Sequence, residues 1–361
     1  MNLKNLGKIL KDEPSYRFKQ AQRAVFLDLI EDWEQATTLS KDLRIKLNKE
    51  CLLTINAQIQ TSHDRQVVKA LIELEDGNRI ETVLMRHQDQ RNTICVSTQV
   101  GCALGCKFCA TGKLGFTRNL TSGEILLQVI YFNRYLKQFK QKISNVVFMG
   151  MGEPFLNYEN VMEAIKILNS PDGFNIGARK ISISTSGIIT GIRKLAEENL
   201  QINLAISLHS ADDRLRSILM PINKKYNLEK LFTAIHYYTQ QTNRQVMFEY
   251  MLIKDVNDSL EHARQLANLM RQPLYLVNLI RYNPTAEFQP ATGKQVKRFK
   301  EYLEKHGVKV TQRHEFGQDI KAACGQLALS TKNTLATSRV SGQAESTKNI
   351  KTLNHIKHKK N

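Results

Sequence analysis

Residues 95–112, CVSTQVGCALGCKFCATG, hold four of the six cysteines of the chain. Three of them, Cys102, Cys106 and Cys109, stand in C-x₃-C-x₂-C spacing. Three thiolates in one loop can bind zinc or an iron–sulfur cluster. A structural zinc takes four protein ligands, whereas a [4Fe–4S] cluster held by three cysteines leaves one iron without a protein ligand. We therefore expect a cluster whose open iron binds a substrate or cofactor.

Strands and helices alternate from residue 93 onward. Seven β-rich runs occur: TICVSTQV, NVVFMG, KISIST, INLAISLH, QVMFEYMLI, YLVNLIRYN and VKVTQR. Amphipathic stretches lie between them, and Thr121 and Glu124 form a capping-box pattern at the start of one. Repeated βα units predict an α/β fold with a parallel sheet, and this number suits a partial (βα) barrel. The cysteine loop follows the first strand, at the carboxyl edge where such folds gather their chemistry.

The chain divides into three predicted parts. The first 60 or so residues have helical patterning, and residues 1–75 are predicted to form a small helical N-terminal domain; residues 76–329 form the core, and residues 330–361 have the composition of a disordered basic tail. The run QVVKALIELEDGNRIETVLM predicts a β-hairpin extension that turns at Asp76-Gly77. Glu81 would then lie on the returning strand.

Composition and charge exclude several classes of protein. The 361 residues are 42% hydrophobic, no apolar run is long enough to span a bilayer, and no secretory signal is present. Six cysteines are too few for a disulfide scaffold, so we expect a soluble cytoplasmic protein, by default a monomer. The net charge is +18, and residues 331–361 carry seven Lys and Arg against one Glu. Most of the excess therefore lies in the body, which favours a nucleic-acid partner over a merely basic protein.

The cysteine spacing, with Phe108 before the last cysteine, resembles the radical S-adenosylmethionine (SAM) superfamily. In that superfamily SAM chelates the open iron of a [4Fe–4S] cluster, and an electron passed through the cluster yields a 5′-deoxyadenosyl radical. Over residues 79–327 the resemblance narrows to the RlmN/Cfr family of RNA adenine methyltransferases. The motifs that carry it are VVFMGMGEP, KISISTSGI, NLAISLHS, MPINKKY, GVKVTQR and DIKAACGQL.

This resemblance implies three catalytic residues. Cys324 would carry a methyl group on sulfur, and Cys95 would attack that sulfur to release the product and leave a disulfide. Glu81 matches the family's proton acceptor. Without the resemblance Cys95 would be a buried strand cysteine and Glu81 a solvated glutamate. Cys51 has no motif around it and is predicted to be a core residue.

The resemblance also implies a SAM site at the strand ends. Gly152 would permit close backbone approach, and the Glu153 carboxylate would pair with the SAM ammonium. Each of the remaining contacts is ordinary alone, and a single histidine is more often structural. The remaining SAM contacts that the resemblance implies are Ser184, Ser207, Leu208, His209 and Asn283.

Three interpretations of the function remain open: two branches of this family and a protein of another class. The RlmN branch, which we favour, implies C2 methylation of adenosine in the peptidyl transferase region of 23S rRNA and beside the anticodon in tRNA, with flavodoxin or ferredoxin as electron donor. Arg281 and Phe316 look more like the Cfr branch, which methylates C8 of the rRNA adenosine. Pro154 and Val100 look more like RlmN. The other class is a non-enzymatic RNA-binding protein whose zinc ion is held by the three clustered cysteines and either Cys95 or His209.

Overall fold

The computed structural model describes residues 3–285, 287–313 and 317–329. The predicted tail, 330–361, and Phe316 therefore lie outside the described residues. The boundaries of the three predicted parts stay predictions. The main sheet is continuous across residue 75, because the two strands of the predicted hairpin lie on either side of it.

Three helices precede the sheet: α1 (Leu3–Ile9), α2 (Ser15–Phe26) and α3 (Lys41–Glu50). Helix α3 packs against the short segment that holds Trp33, and Trp33 is fully buried. The Trp33 indole N–H donates to the carbonyl of Cys51 over 2.7 Å. Cys51 is itself fully buried, which confirms that it is a core residue.

In the part of the chain that the structure describes, twelve strands form two sheets. Strands β5 (Gln99–Gly101) and β6 (Phe116–Asn119) pair with each other, and the other ten form one sheet in the order β1-β2-β3-β4-β7-β8-β9-β10-β11-β12. The ten are β1 (Asn56–Thr61), β2 (Val67–Glu73), β3 (Arg79–Arg86), β4 (Asn92–Cys95), β7 (Asn145–Phe148), β8 (Ile181–Thr185), β9 (Asn203–Ser207), β10 (Val246–Leu252), β11 (Tyr275–Arg281) and β12 (Val310–Gln312).

The ten-stranded sheet has an antiparallel part and a parallel part. Strands β1 to β4 are antiparallel, and the turn between β2 and β3 lies at Asp76-Gly77 as predicted. The seven strands from β4 to β12 are parallel and correspond to the seven predicted β-rich runs. Among the described residues β1 and β12 pair on one side only, so the sheet is open. The predicted α/β fold with a partial barrel is confirmed.

Helices connect the parallel strands and bring their carboxyl ends to one edge. Thr121 and Glu124 cap the helix before β7 with the predicted capping box. No helix in the described ranges is long and apolar enough to cross a membrane. The helices are α4 (Ala110–Lys113), α5 (Ser122–Lys137), α6 (Tyr158–Asn169), α7 (Ile189–Glu197), α8 (Asp213–Leu219), α9 (Leu228–Thr242), α10 (Leu260–Leu269) and α11 (Gly293–Lys305).

Candidate active site

A cavity of about 180 Å³ lies at the carboxyl edge of the parallel strands. Residues at or just beyond the end of each parallel strand line it, as expected for a βα fold. The cysteine loop and the segment after β12 complete its wall. The lining side chains that lie on these strands or directly after them include Cys95, Met149, Ser184, Ser207, Glu249, Asn283 and Arg313.

The cysteine loop is fixed to the rest of the wall by its backbone. The N–H of Cys102 donates to the carbonyl of Gly115 over 2.7 Å, and the N–H of Lys107 donates to that of Leu219 over 2.9 Å. Cys102, Cys106 and Cys109 all line the cavity. The structure therefore brings the three predicted ligands to one cavity.

Burial disfavours the thiolate form of these cysteines. It raises the pKa of Cys102 to about 11 and raises that of Cys106 further. The free thiols are therefore protonated near neutral pH, and binding to iron would release protons. Within the described ranges no three His, Cys, Asp or Glu side chains are arranged to hold a single metal ion. Three cysteines on one cavity wall are nevertheless the donor set that a [4Fe–4S] cluster with one open iron takes.

Cys324 lies on the same wall beside a guanidinium group. Nη1 of Arg313 lies 3.1 Å from the Cys324 sulfur and 3.5 Å from Oε1 of Glu249. Burial raises the pKa of the Cys324 thiol, and the positive charge of Arg313 opposes that rise. The arrangement can therefore stabilise a thiolate at Cys324.

Cys95 ends β4 and faces the same cavity from the sheet. Burial raises the pKa of its thiol to about 12, and the neighbouring Cys324 adds to the rise. The structure brings these two predicted catalytic cysteines together. Both are free thiols.

Glu81 lies on the returning strand of the hairpin as predicted, but it does not line the cavity. It is only 1% exposed. Its Oε1 lies 3.0 Å from Nζ of Lys69, and its Oε2 accepts the backbone N–H groups of Ala328, over 2.7 Å, and Leu329, over 3.2 Å. The carboxylate is therefore engaged by protein donors behind the cavity wall.

Gly152 and Glu153 follow β7 and line the cavity. Gly152 has φ +99°, and a Cβ there would lie 2.5 Å from the Cβ of Gln99, so only glycine fits. The buried carboxylate of Glu153 accepts hydrogen bonds from the Thr185 hydroxyl and from two backbone N–H groups. A carboxylate offers about four acceptor positions, so one remains for a ligand. Burial raises the pKa of Glu153, and a cation at that position would favour its ionised form.

Four further predicted contacts line the cavity, and one does not. The Ser184 hydroxyl donates to Glu249 over 2.9 Å and lies 3.4 Å from the Ser207 hydroxyl. The Asn283 amide donates to the carbonyl of Cys324 over 3.2 Å. Leu208 is fully buried in the core and is not part of the wall.

His209 lines the cavity as a neutral imidazole. Its Nδ1 accepts the backbone N–H of Met251 over 3.1 Å, and burial lowers its pKa to about 3. Because Nδ1 accepts this bond, the neutral ring carries its proton on Nε2 and has no lone pair left for a metal. A zinc site with His209 as fourth ligand is therefore wrong.

Sequence reasoning missed two charged residues that line the cavity, Arg313 and Glu249, and a third, Lys69, that pairs with Glu81 behind its wall. Arg313 ends the motif GVKVTQR, and its place at the end of the last strand was the available signal. Glu249 interrupts the apolar run QVMFEYMLI, and Lys69 interrupts QVVKALIEL. A charge inside a buried strand indicates a buried partner, although the sequence does not say which one.

The fold and this cavity are those of a radical SAM protein, and comparison with known proteins agrees. The profile of the Radical SAM superfamily matches residues 96–267. A crystal structure of a radical SAM methyltransferase from Sphaerobacter thermophilus superimposes with a TM-score of 0.86 and 43% identity, covering 91% of this chain and 97% of that one. Proteins of this superfamily use SAM and a [4Fe–4S] cluster in general.

Curated relatives identify the family within this superfamily. A probable dual-specificity RNA methyltransferase RlmN from Dictyoglomus turgidum is 48% identical over 89% of this chain and 93% of its own length. One of the same name from Staphylococcus saprophyticus is 45% identical over 87% of each. The chain belongs to the RlmN family of radical SAM RNA methyltransferases. A non-enzymatic zinc protein is therefore wrong as an interpretation.

Proposed function

We propose that this protein methylates C2 of adenosine in 23S rRNA, in the peptidyl transferase region, and in tRNA next to the anticodon. The observation that carries the proposal is the convergence of Cys95, Cys324 and the three clustered cysteines on one cavity. Names of relatives that specify dual-specificity RNA methylation support it. An aromatic C–H carbon is too weak a nucleophile to attack SAM directly, so a thiol carrier and a radical step suit the reaction.

In this proposal Cys102, Cys106 and Cys109 hold a [4Fe–4S] cluster, and SAM binds against the ends of β7, β8 and β9. Together, the bound cluster and SAM would supply a radical that can abstract hydrogen. The remaining acceptor position of Glu153 takes the SAM ammonium. Gly152, Ser184, Ser207, His209 and Asn283 shape the pocket. The side chain of Leu208 lies in the core, its N–H donates to the carbonyl of Glu249, and its carbonyl accepts Nε of Arg216, so Leu208 supports its two lining neighbours without facing the ligand.

The two cysteines divide the remaining work. Cys324 accepts the methyl group on sulfur as a thiolate, and the adjacent guanidinium of Arg313 stabilises that charge. After a hydrogen atom is abstracted from the S-methyl group, its carbon would bond to adenine, and the adduct would give up one electron and the adenine proton. The Cys95 thiolate would then attack the Cys324 sulfur and break the bond between that sulfur and the transferred carbon, whose electron pair stays with the carbon as it takes up a proton. This frees the methylated RNA and leaves a Cys95–Cys324 disulfide, which an external reductant must reduce before the next turnover. Glu81 is the proposed acceptor of the adenine proton. Because its carboxylate is bound to Ala328 and Leu329, these bonds must open before it can act.

RNA is the proposed partner, held mainly through phosphate contacts by the basic surface. Flavodoxin or ferredoxin is the proposed electron donor, and the monomer is the proposed working unit. The basic residues of 330–361 would add to RNA affinity without taking part in the chemistry.

The proposal is tested by anaerobic turnover of the iron-loaded protein with SAM, a reductant and a 23S rRNA fragment or tRNA, followed by mass spectrometry of the nucleosides. We expect 2-methyladenosine as the main product from both RNAs. The protein should contain iron and sulfide, and Cys324→Ala should abolish methylation without reducing the iron content. A Cys324→Ala variant with full activity would remove Cys324 as the carrier.

C8 methylation remains the second candidate because Arg281, one of the two residues that resemble the Cfr branch, lines the cavity. Its Nε donates to the carbonyl of Ala291 over 3.0 Å. Phe316, the other residue that resembles the Cfr branch, lies outside the described residues. If 8-methyladenosine were the main product of the same assay, the C2 proposal would be overturned.

A further inference from the structure

The segment that carries Cys324, residues 317–329, lies against the hairpin formed by β2 and β3. It begins at Gly317, where a Cβ would lie 2.9 Å from Cγ1 of Val67 on β2. Nζ of Lys69, also on β2, lies 3.4 Å from the carbonyl of Lys321. At the other end of the segment the carboxylate of Glu81 on β3 accepts the N–H groups of residues 328 and 329.

Lys69 and Glu81 form a buried ion pair between these two attachment points. Nζ lies 3.0 Å from Oε1, and the two side chains are 5% and 2% exposed. In the antiparallel register Lys69 is opposite Val83 and Leu71 is opposite Glu81, so the pair is diagonal on one face. Val83, two residues from Glu81 on that face, lines the cavity.

The contacts of this pair are complementary. Oε1 of Glu81 is used by Lys69, and Oε2 is used by two backbone donors. Lys69 in turn reaches the carbonyl of Lys321. The Lys69 ammonium and the Glu81 carboxylate therefore neutralise each other, and each also binds the backbone of the segment. Loss of either side chain leaves the other as a buried charge without a counter-ion.

We propose that Lys69 is a positioning residue for the methyl-carrying cysteine: together with Glu81 it forms a clasp that fixes residues 317–329, and with them Cys324, at the cavity. The inference rests on the proposed role of Cys324. It adds a second role for Glu81, which holds the segment whether or not it also accepts a proton.

The test compares Lys69→Met with wild type and with Lys294→Met, a matched change at an exposed lysine of α11. Anaerobically prepared holoprotein is examined by hydrogen exchange at the amides of Ala328 and Leu329 and by the rate of iodoacetamide labelling of the Cys324 peptide. For Lys69→Met we expect both to increase by about 10-fold or more, because the buried Glu81 carboxylate loses its cation and the segment loses the Nζ contact at the carbonyl of Lys321, and both changes favour opening of the segment. Lys294→Met should match wild type, and Lys69→Arg should restore most of the protection. RNA methylation should fall in Lys69→Met while its iron content and SAM affinity stay unchanged.

Unchanged exchange and labelling in a folded Lys69→Met protein would overturn the clasp. Faster exchange with undiminished methylation would overturn its role in positioning. If Lys69→Met does not fold, the neutral double variant Lys69→Met/Glu81→Gln takes its place and is examined by exchange and labelling alone, because Glu81 is itself the proposed proton acceptor; unchanged exchange and labelling would again overturn the clasp. Amide exchange does not depend on what Cys324 does, and labelling is read on the reduced, unmethylated fraction of the Cys324 peptide. A failure of the proposed methyl-carrier role would therefore appear separately, as full activity of Cys324→Ala.

Discussion

Replacing Arg313 with methionine removes the guanidinium that lies 3.1 Å from the Cys324 sulfur while keeping a side chain of similar length. Burial already raises the pKa of this thiol, and Arg313 is the group that opposes the rise. The variant also leaves the buried carboxylate of Glu249 near the sulfur without its cation, and this negative charge raises the pKa of the Cys324 thiol further. We therefore expect less thiolate at any given pH.

A hydrogen bond to a charged group contributes about 1.5–3 kcal/mol, which corresponds to a factor of about 10 to 100 in the thiolate population. The assay is the rate of iodoacetamide labelling of the Cys324 peptide in the holoprotein as a function of pH. Only the thiolate reacts, so the rate rises as pH rises through the pKa of the thiol. The profile of Arg313→Met should lie at higher pH than that of wild type, with the rate near neutral pH lower by about that factor.

Arg313→Lys is the control, because it keeps the positive charge and should retain part of the effect. A change in access to Cys324 would alter the limiting rate at high pH without displacing the profile, so the two causes are separable. Coincident profiles for Arg313→Met and wild type would refute the idea that Arg313 stabilises the thiolate.

Three further outcomes follow from the structure. Glu153→Gln should weaken SAM binding by about 10-fold or more in equilibrium dialysis, because the ammonium loses its charged partner; an unchanged Kd would contradict that pairing. Gly152→Ala should reduce the unfolding free energy by about 1–3 kcal/mol, because its Cβ would overlap Gln99 at φ +99°; a stability equal to wild type in urea titration would argue against this. Phe248→Ala should cost about 3–5 kcal/mol in the same titration, because the ring is fully buried and stacked on Phe232; a loss below about 1 kcal/mol would show that the cavity collapses.

The sheet was largely predictable because its strands are short apolar runs. The parallel strands are covered by helices, so their sequences read as continuous hydrophobic stretches such as NVVF and VMFEYML. The hairpin was predictable for a local reason: Gly77 adopts φ +78°, which the Asp-Gly turn signal anticipates. Strands β5 and β6 were missed because they have only three and four residues and pair around the cysteine loop. No periodicity can be read over such lengths.

The candidate site was predictable where it depends on a motif and unpredictable where it depends on distant pairing. The C-x₃-C-x₂-C spacing of the three clustered cysteines is enough to predict that they are ligands. Nothing local indicates that Lys69 would meet Glu81, or that Glu81 would hold residues 328 and 329, which follow it by 247 and 248 positions. A glutamate on a hairpin strand is ordinarily solvated, so the default expectation for Glu81 was exposure, and burial by the C-terminal segment overrode it.

The two catalytic candidates are positioned by different kinds of structure. Cys95 belongs to a strand with paired neighbours on both sides, so the backbone ladder fixes its place. Cys324 lies in a segment without regular structure, which is held from one side by the cysteine loop and from the other by the hairpin. On the loop side Ala110 donates its N–H to the carbonyl of Gly325 over 2.7 Å, and the Thr111 hydroxyl donates to that of Leu327 over 2.7 Å. Local opening therefore requires only a few hydrogen bonds to break around Cys324, whereas displacing Cys95 requires the sheet to come apart. In the proposed mechanism Cys324 meets SAM, then RNA, then Cys95, and of the two cysteines it is the one whose displacement breaks fewer backbone hydrogen bonds.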